Sequence, residues 1–397
     1  MLDEIKALDK KYYMNTFGER LNVMFDHGEG MKLYSDAGDV YYDFLGGIAV
    51  NSVGHAHPKL VRAISQQAAK VIHTSSLYYI ENQARLAQKL VESTCADKAF
   101  FCNSGAEANE GAMKLARIYF YKKGMNKNEI ISLDHSFHGR TLATVAVTGQ
   151  EHYQAPYRPN LPGVTQVEPN NFEALKAAVT DKTAAIMLEP IQGESGVHPM
   201  DKEYLQKVRE LCSEKNIILI FDEVQTGMGR TGHLFAYQLY GIEPDIFTSA
   251  KALGGGVPIG AVCAKQFVAD AFEPGDHGTT FGGNPLATAA GLAVFDIYES
   301  EHLVENAKLK GEEFKNKLNM LKDKYPDKIS DIRGAGLLIG IQVKDELGKT
   351  VFNKLFENKI LTSLCSGNTI RIAPPLIIAS GDIDLFIKTF EQIIKEI

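Results

Sequence analysis

Residues 202–223 read KEYLQKVRELCSEKN-IILIF-DE, and three kinds of sequence meet in them. KEYLQKVRELCSEKN (202–216) has a helical pattern, and IILIF (217–221) is a short run with no polar position. A strand apolar on both faces must be covered on both sides, so a helix feeding such a strand points to a parallel sheet between helices. The run then stops on two carboxylates, Asp222 and Glu223.

The same alternation extends from about residue 95 to about residue 265. AFFC (99–102), EIISL (129–133), AAIML (184–188), DIFTS (245–249) and GAVCA (260–264) are the other strand-like runs. After the first comes EANEGAMKLARIYFY, where Ala108, Ala112, Leu115 and Tyr119 recur at helical spacing. In open sheets of this kind ligands sit beyond the carboxyl ends of the strands. The residues there are Asn103-Ser104-Gly105, Asp134-His135, Glu189, Asp222-Glu223 and Ala250-Lys251. Polar and ionisable groups thus collect at one edge of an apolar sheet, which is the candidate active site.

Beyond Asn284-Pro285 the pattern changes to a long helical stretch, expected as two helices. SDIRGAGLLIGIQVKD and TIRIAPPLII then supply strands, and DLFIKTFEQIIKEI a closing helix. KLYSDAGDVYYDFLGG, near the N-terminus, reads as a hairpin around Asp36-Ala37-Gly38. The expected division is a large domain over residues 46–285 and a smaller α+β domain over 286–397. Residues 1–45 join the smaller domain or reach over a partner subunit.

Composition excludes several function classes. The chain has 397 residues, 45% hydrophobic and 23% charged, with a formal charge of −7 and no basic stripe of the nucleic-acid-binding kind. No apolar run approaches the ~20 residues of a membrane span. MLDEIKALDKKYYMNTF, at the start, is charged and lacks a signal-peptide core. Cys95, Cys102, Cys212, Cys263 and Cys365 are scattered without CxxC spacing, as expected of reduced thiols in the cytoplasm.

Three elements carry chemistry, each with a plainer alternative. Lys251, in TSAKALGGG (248–256), lies between alanines at a strand end. Desolvation there would lower its pKa, as a Schiff-base lysine requires, although an isolated lysine more often snorkels from a loop. Asp222 closes an apolar strand and needs a positive partner, either a protonated pyridine nitrogen or a structural cation. Ser104-Gly105-Ala106 opens a helix, where free N–H groups bind phosphate or a serine simply caps. The close histidine pairs, His55 with His57 and His135 with His138, lack the further ligands of a zinc site, so no metal is expected. His135 is expected to support the cofactor edge.

Together NSGAEANE, HSFHGRT, EPIQGESG, FDEVQTGMGRTG, PDIFTSAKALGGG and HGTTFGGNPLA resemble the class III, ornithine-type aminotransferases of pyridoxal phosphate (PLP) fold type I. The resemblance runs from about Asn15 to the C-terminus. GGIAVNSVGHAHP, HGTTFGGNPLA and DIRGAGLLIG look closest to the acetylornithine branch. It implies an α/β fold with a large, mostly parallel sheet domain and PLP as cofactor. By resemblance Lys251 forms the Schiff base, Asp222 meets the ring nitrogen and Gln225 the ring hydroxyl. Ser104, Gly105 and Ala106 hold the phosphate, and Phe137 and Val224 sandwich the ring. Thr280 reaches the phosphate of a neighbouring subunit, which implies a homodimer.

Arg140 and Arg371 are the implied carboxylate binders, with Glu194 covering Arg371 until a dicarboxylate arrives, and Thr279 touches the acylated substrate. The implied reaction is ping-pong transfer of the δ-amino group of N2-acetyl-L-ornithine to 2-oxoglutarate. Its products are N-acetyl-L-glutamate 5-semialdehyde and L-glutamate. Ornithine, succinylornithine, succinyldiaminopimelate and 4-aminobutyrate are alternative donors, and an aminomutase is a more distant alternative. Three positions depart from the family pattern: Phe17 stands for a tyrosine, Thr279 for a serine, and GESG (193–196) for GEGG.

Overall fold

The computed structural model describes residues 1–397. Its central sheet has seven strands: β1 (Lys98–Cys102), β2 (Glu129–Leu133), β3 (Val164–Val167), β4 (Thr183–Leu188), β5 (Ile218–Asp222), β6 (Ile246–Ser249) and β7 (Gly260–Ala264). The spatial order is β1-β7-β6-β5-β4-β2-β3. β3, β2, β4, β5 and β6 pair in parallel, whereas β7 runs antiparallel to both β6 and β1. GAVCA therefore runs opposite to the other expected strands, and its carboxyl end lies away from theirs. β3 had no counterpart among those runs. Its sequence, VTQV, lies at the sheet edge with only Val167 buried, so it lacks the continuous apolar character that marks the central strands.

The central strands are apolar because both faces are covered. Every residue of β4 and β5 is buried. The helix Lys202–Lys215 lays Tyr204, Leu205, Val208, Leu211 and Cys212 on the core, and Asn216 ends it in the left-handed region at φ 51°. Fully burying one such leucine contributes about 1.5–3 kcal/mol, so Leu205→Ala would cost about 2–5 kcal/mol once the cavity is included. On the other side, the helix Gly105–Lys122 buries Ala108, Ala112, Leu115 and Tyr119, the face its spacing predicts. Its start is fixed by Ser104 Oγ accepting from the Glu107 N–H (3.2 Å) and by Glu107 Oε2 accepting from the Asn103 N–H (2.6 Å).

The C-terminal part opens with helices Pro285–Ser300 and Leu303–Lys324. Four antiparallel strands follow: β8 (Ile329–Ala335), β9 (Leu338–Val343), β10 (Ser363–Cys365) and β11 (Thr369–Ile372), in the order β8-β9-β11-β10. The helix Ser380–Glu396 closes the chain. Near the N-terminus, Lys32–Ser35 and Val40–Asp43 form the expected hairpin, and Val40–Asp43 pairs in parallel with Ile360–Leu361. Phe44, just after this hairpin, packs against Phe314 and Phe386, with ring centroids 6.1 and 5.0 Å away. One apolar cluster runs from Phe221 and Phe247 under the large sheet to these phenylalanines. β11 is thereby held against the carboxyl edge of the large sheet. No helix is long and apolar enough to cross a membrane.

Candidate active site

A cavity of about 450 Å³ opens at the carboxyl ends of the parallel strands. Its lining includes Ser104, Gly105 and Ala106 after β1, Phe137 and Arg140 after β2, Asp222, Val224 and Gln225 at and after β5, and Lys251 after β6. Residues far apart in sequence converge because parallel strands all end at the same edge.

The Asp222 carboxylate is buried and has three partners. Its Oδ2 accepts from Asn109 Nδ2 and His138 Nδ1, both at 2.7 Å, and its Oδ1 from the Val224 N–H at 3.0 Å. Asn109 is fixed in turn by Thr248 Oγ1, which donates to its Oδ1 at 2.7 Å. Burial pushes the His138 imidazole down, but the hydrogen bond and charge of Asp222 outweigh it and raise the pKa. His138, and not His135, is thus the histidine at this carboxylate. His135 is exposed, takes a left-handed backbone at φ 63°, and lines a separate cavity with His198 and Arg333. The spacing of the two histidines could not choose between them, because the turn after β2 decides which ring faces inward. Glu223, next to Asp222, serves the fold: it accepts from the N–H groups of Ala236 and Tyr237 at 2.9 and 2.7 Å.

Lys251 also adopts a left-handed conformation, at φ 48°. Burial, then the charge of Arg371, lowers its pKa to about 8. Its amine is therefore far closer to the neutral, nucleophilic form at physiological pH than an ordinary lysine. At the helix start, a Cβ on Gly105 would come 2.7 Å from Val224 Cγ1, so only glycine lets these two segments approach. The first N–H groups of a helix have no intrahelical partner, and those of Gly105 and Ala106 are in this position.

Arg371, on β11, is buried just behind the cavity lining and meets it through Gln225. Its Nη1 donates to Glu194 Oε2 at 2.6 Å, to Gln225 Oε1 at 3.2 Å and to the Gly193 carbonyl at 3.2 Å, while Nε donates to Ser363 Oγ at 3.0 Å. Burial would raise the Glu194 carboxyl, but Arg371 outweighs it and holds it below the ordinary range. Arg140 is exposed, forms no ion pair, and lies over Tyr153 at 3.8 Å. Thr279 accepts from Asn103 Nδ2 at 3.2 Å, beside the start of the Gly105–Lys122 helix. Thr280 is exposed and is not among the residues lining the cavity.

Glu189, at the end of β4, was visible in the sequence only as a strand-end acid. It accepts from the Phe137 N–H at 3.0 Å and the Gly193 N–H at 3.2 Å. Burial pushes its pKa up to about 7, against the opposing charge of His138. Asn109 and His138 lay inside the quoted motifs NSGAEANE and HSFHGRT, but nothing local in those motifs tells which carboxylate they meet.

The family profile described as Aminotransferase class-III matches residues 13–394. The chain belongs to the class-III aminotransferases. An acetylornithine aminotransferase of Methanocaldococcus jannaschii is 52% identical over 393 residues, covering 98% of each chain. A crystal structure of acetylornithine aminotransferase from Elizabethkingia anophelis superposes with a TM-score of 0.88 at 35% identity, over 100% of this chain and 99% of that one. Ornithine aminotransferase of Toxoplasma gondii, in a structure with partial occupancy of PLP at its active site, gives 0.94 at 33% identity, over 99% and 94%.

This class-III aminotransferase uses PLP, and its cavity suits that group chemically. The helix start offers unpaired N–H donors for an anion. Asp222 is a buried carboxylate whose Oδ2 takes Asn109 and His138 while its Oδ1 takes only the Val224 N–H, which leaves that oxygen room for a further donor. Lys251 brings a desolvated amine to the same space.

Proposed function

We propose that this aminotransferase transfers the δ-amino group of N2-acetyl-L-ornithine to 2-oxoglutarate, giving N-acetyl-L-glutamate 5-semialdehyde and L-glutamate. The observation that carries this reading is the Glu194–Arg371 pair at 2.6 Å beside the Lys251 cavity. A dicarboxylate needs two cationic sites, whereas an acylated ornithine needs only one. Arg140 is free of any ion pair, and Arg371 is a cation under a removable cover. Such an exchangeable pair suits an enzyme with two unlike substrates and has no evident use in an aminomutase. Half of all positions shared with an acetylornithine aminotransferase support the donor.

In this reading Gly105 and Ala106, with Ser104, hold the cofactor phosphate at the helix start. Phe137 and Val224 flank its ring, Gln225 meets the ring hydroxyl, and Asp222 the ring nitrogen. When bound, PLP supplies an aldehyde carbon for the amino group and a ring able to hold an electron pair. The Lys251 Nζ would take the proton from the amine-bearing substrate carbon and return it to the carbon that receives the amino group, as base and acid in turn. Asn109 and His138 keep Asp222 fixed while charge builds opposite it. Arg140 orients the substrate carboxylate, Thr279 contacts the acylated end, and Glu194 uncovers Arg371 when 2-oxoglutarate enters.

The working unit in this proposal is a homodimer, with Thr280 serving the neighbouring subunit's phosphate. Exposed Leu77, Tyr78, Tyr79 and Phe281 support it, because consecutive bare apolar side chains suit a surface that a second copy covers. The proposed division is a large cofactor-binding domain over residues 46–285, with 1–45 and 286–397 forming the smaller one. Five free cysteines support a cytoplasmic location.

Steady-state turnover with N-acetylornithine, N-succinylornithine, ornithine and 4-aminobutyrate tests the donor, each paired with 2-oxoglutarate. N-acetylornithine is expected to give the highest kcat/KM. A lead of about tenfold for ornithine would overturn the assignment.

A further inference from the structure

The glutamate that covers Arg371 stands on a turn whose backbone is bonded on both sides. Upstream, Glu189 is buried, and its Oε1 accepts from the N–H of Gly193, the residue before Glu194, at 3.2 Å. Its Oε2 accepts from the Phe137 N–H at 3.0 Å. The Gly193 carbonyl itself accepts from Arg371 Nη1 at 3.2 Å. A Cβ on Gly193 would come 2.4 Å from the Gln225 amide, so the turn packs its bare backbone on that side chain. Downstream, the Ser195 carbonyl accepts from Ser366 Oγ at 2.8 Å, and the Gly196 and Val197 carbonyls from Arg333 Nε at 2.9 and 3.0 Å.

A turn anchored this way leaves Glu194 to come off Arg371 by side-chain rotation. It also means that two oxygens of the turn, the Gly193 carbonyl and the Glu194 carboxylate, are held ready on the same guanidinium nitrogen, beside Gln225 Oε1. An incoming carboxylate displaces the Glu194 side chain, while the Gly193 carbonyl stays in place beside the same nitrogen. Glu189 is the one anchor that reaches the turn from within the cavity, and its second oxygen holds the segment carrying Phe137.

We infer that Glu189 is a positioning residue for the Glu194 gate: by binding the Gly193 and Phe137 N–H groups together, it keeps both acceptors registered on Arg371 and so sets the balance between amine donor and dicarboxylate. This rests on the proposed reading of Glu194–Arg371 as a gate. Loosening the tether weakens the competitors for Arg371, which favours a dicarboxylate. It penalises the amine donor, which needs Arg371 covered. A residue that merely supported the fold would impair both substrates alike.

The test uses Glu189→Gln, which keeps the size but turns an amide N–H₂ toward one of the two donors. Glu189→Asp accompanies it, keeping the charge but falling one methylene short. Calorimetric affinity for glutarate, an unreactive dicarboxylate, is measured on the holoenzyme with its melting temperature. The two half-reactions are followed separately by cofactor absorbance. In both variants the amine half-reaction is expected to lose about tenfold in kcat/KM, with glutarate binding unchanged or up to about tenfold tighter. Equal losses on both sides, or an unchanged ratio, overturn the inference. Glu194→Ala separates the two readings. If it leaves the ratio unchanged, the gate fails; if it shifts the ratio while the Glu189 variants do not, only the tether fails.

Discussion

The two halves of the site are built on different principles. The half toward β1, β5 and β6 uses backbone N–H groups at a helix start, one buried aspartate and one lysine. Asp222 there has three donors, and its neighbour Asn109 is itself held by Thr248. The half toward β11 uses a buried arginine covered by a glutamate whose side chain remains 32% exposed, and a second arginine with no ionic partner. A site for one constant group can be locked by many short bonds. A site that must accept two unlike substrates in alternation needs a pair that opens, and an ion pair reaching solvent opens more cheaply than a buried network.

That contrast can be broken most sharply at Lys251, which has no substitute on either side. Lys251→Ala is expected to reduce turnover by roughly 10⁴-fold, measured as steady-state rate, because in the proposed reading the base and the attachment point vanish together. The absorbance of bound cofactor should also lose its Schiff-base band. An unchanged band would overturn the lysine's role.

The substrate half should respond selectively. Arg371→Gln removes a buried cation and strands Glu194, so kcat/KM for 2-oxoglutarate is expected to fall about 10²–10³-fold. The amine half-reaction should lose much less, since in the proposed reading it never uses the uncovered arginine. Equal losses would mean that Arg371 holds the two halves together instead of serving one of them.

The smallest effect is a pH dependence of the fixed half. The pKa of Lys251 is lowered by burial first and by Arg371 second, to about 8. The neutral amine therefore becomes the major form as pH rises through about 8. In cofactor-free protein, capture of PLP should accelerate about tenfold from pH 6 to 7 and level off above about 8. A rate still climbing past pH 10 would mean an ordinary, solvated lysine.

Much of the fixed half was readable in the chain. IILIF followed by Asp222, the Ser104-Gly105 helix start and Lys251 between alanines all announce themselves by local pattern, and each lines the cavity. β3 did not, because an edge strand covered on one side carries little of the continuous apolar signal. His135 read as well as His138 did, since both follow the same strand. The bonds of Glu189 to Phe137 and Gly193 had no signature at all, as carboxylates that accept backbone N–H groups need no particular neighbour in sequence.

What the sequence determined by itself is which groups lie at the ends of which strands, because side-chain periodicity and helix starts are local properties. Only the tertiary structure decided which of those ends are neighbours. β1 pairs with β7, which pairs in turn with β6, and β1 has no contact with β2 in the sheet, so Ser104 and Lys251 share one space although they lie 147 positions apart. β11 is pressed to the same edge by a phenylalanine core that spans both ends of the chain, and that contact gives Arg371 its glutamate. Strand order and register are settled by the burial of whole faces at once, and no single stretch of residues records that cooperative choice.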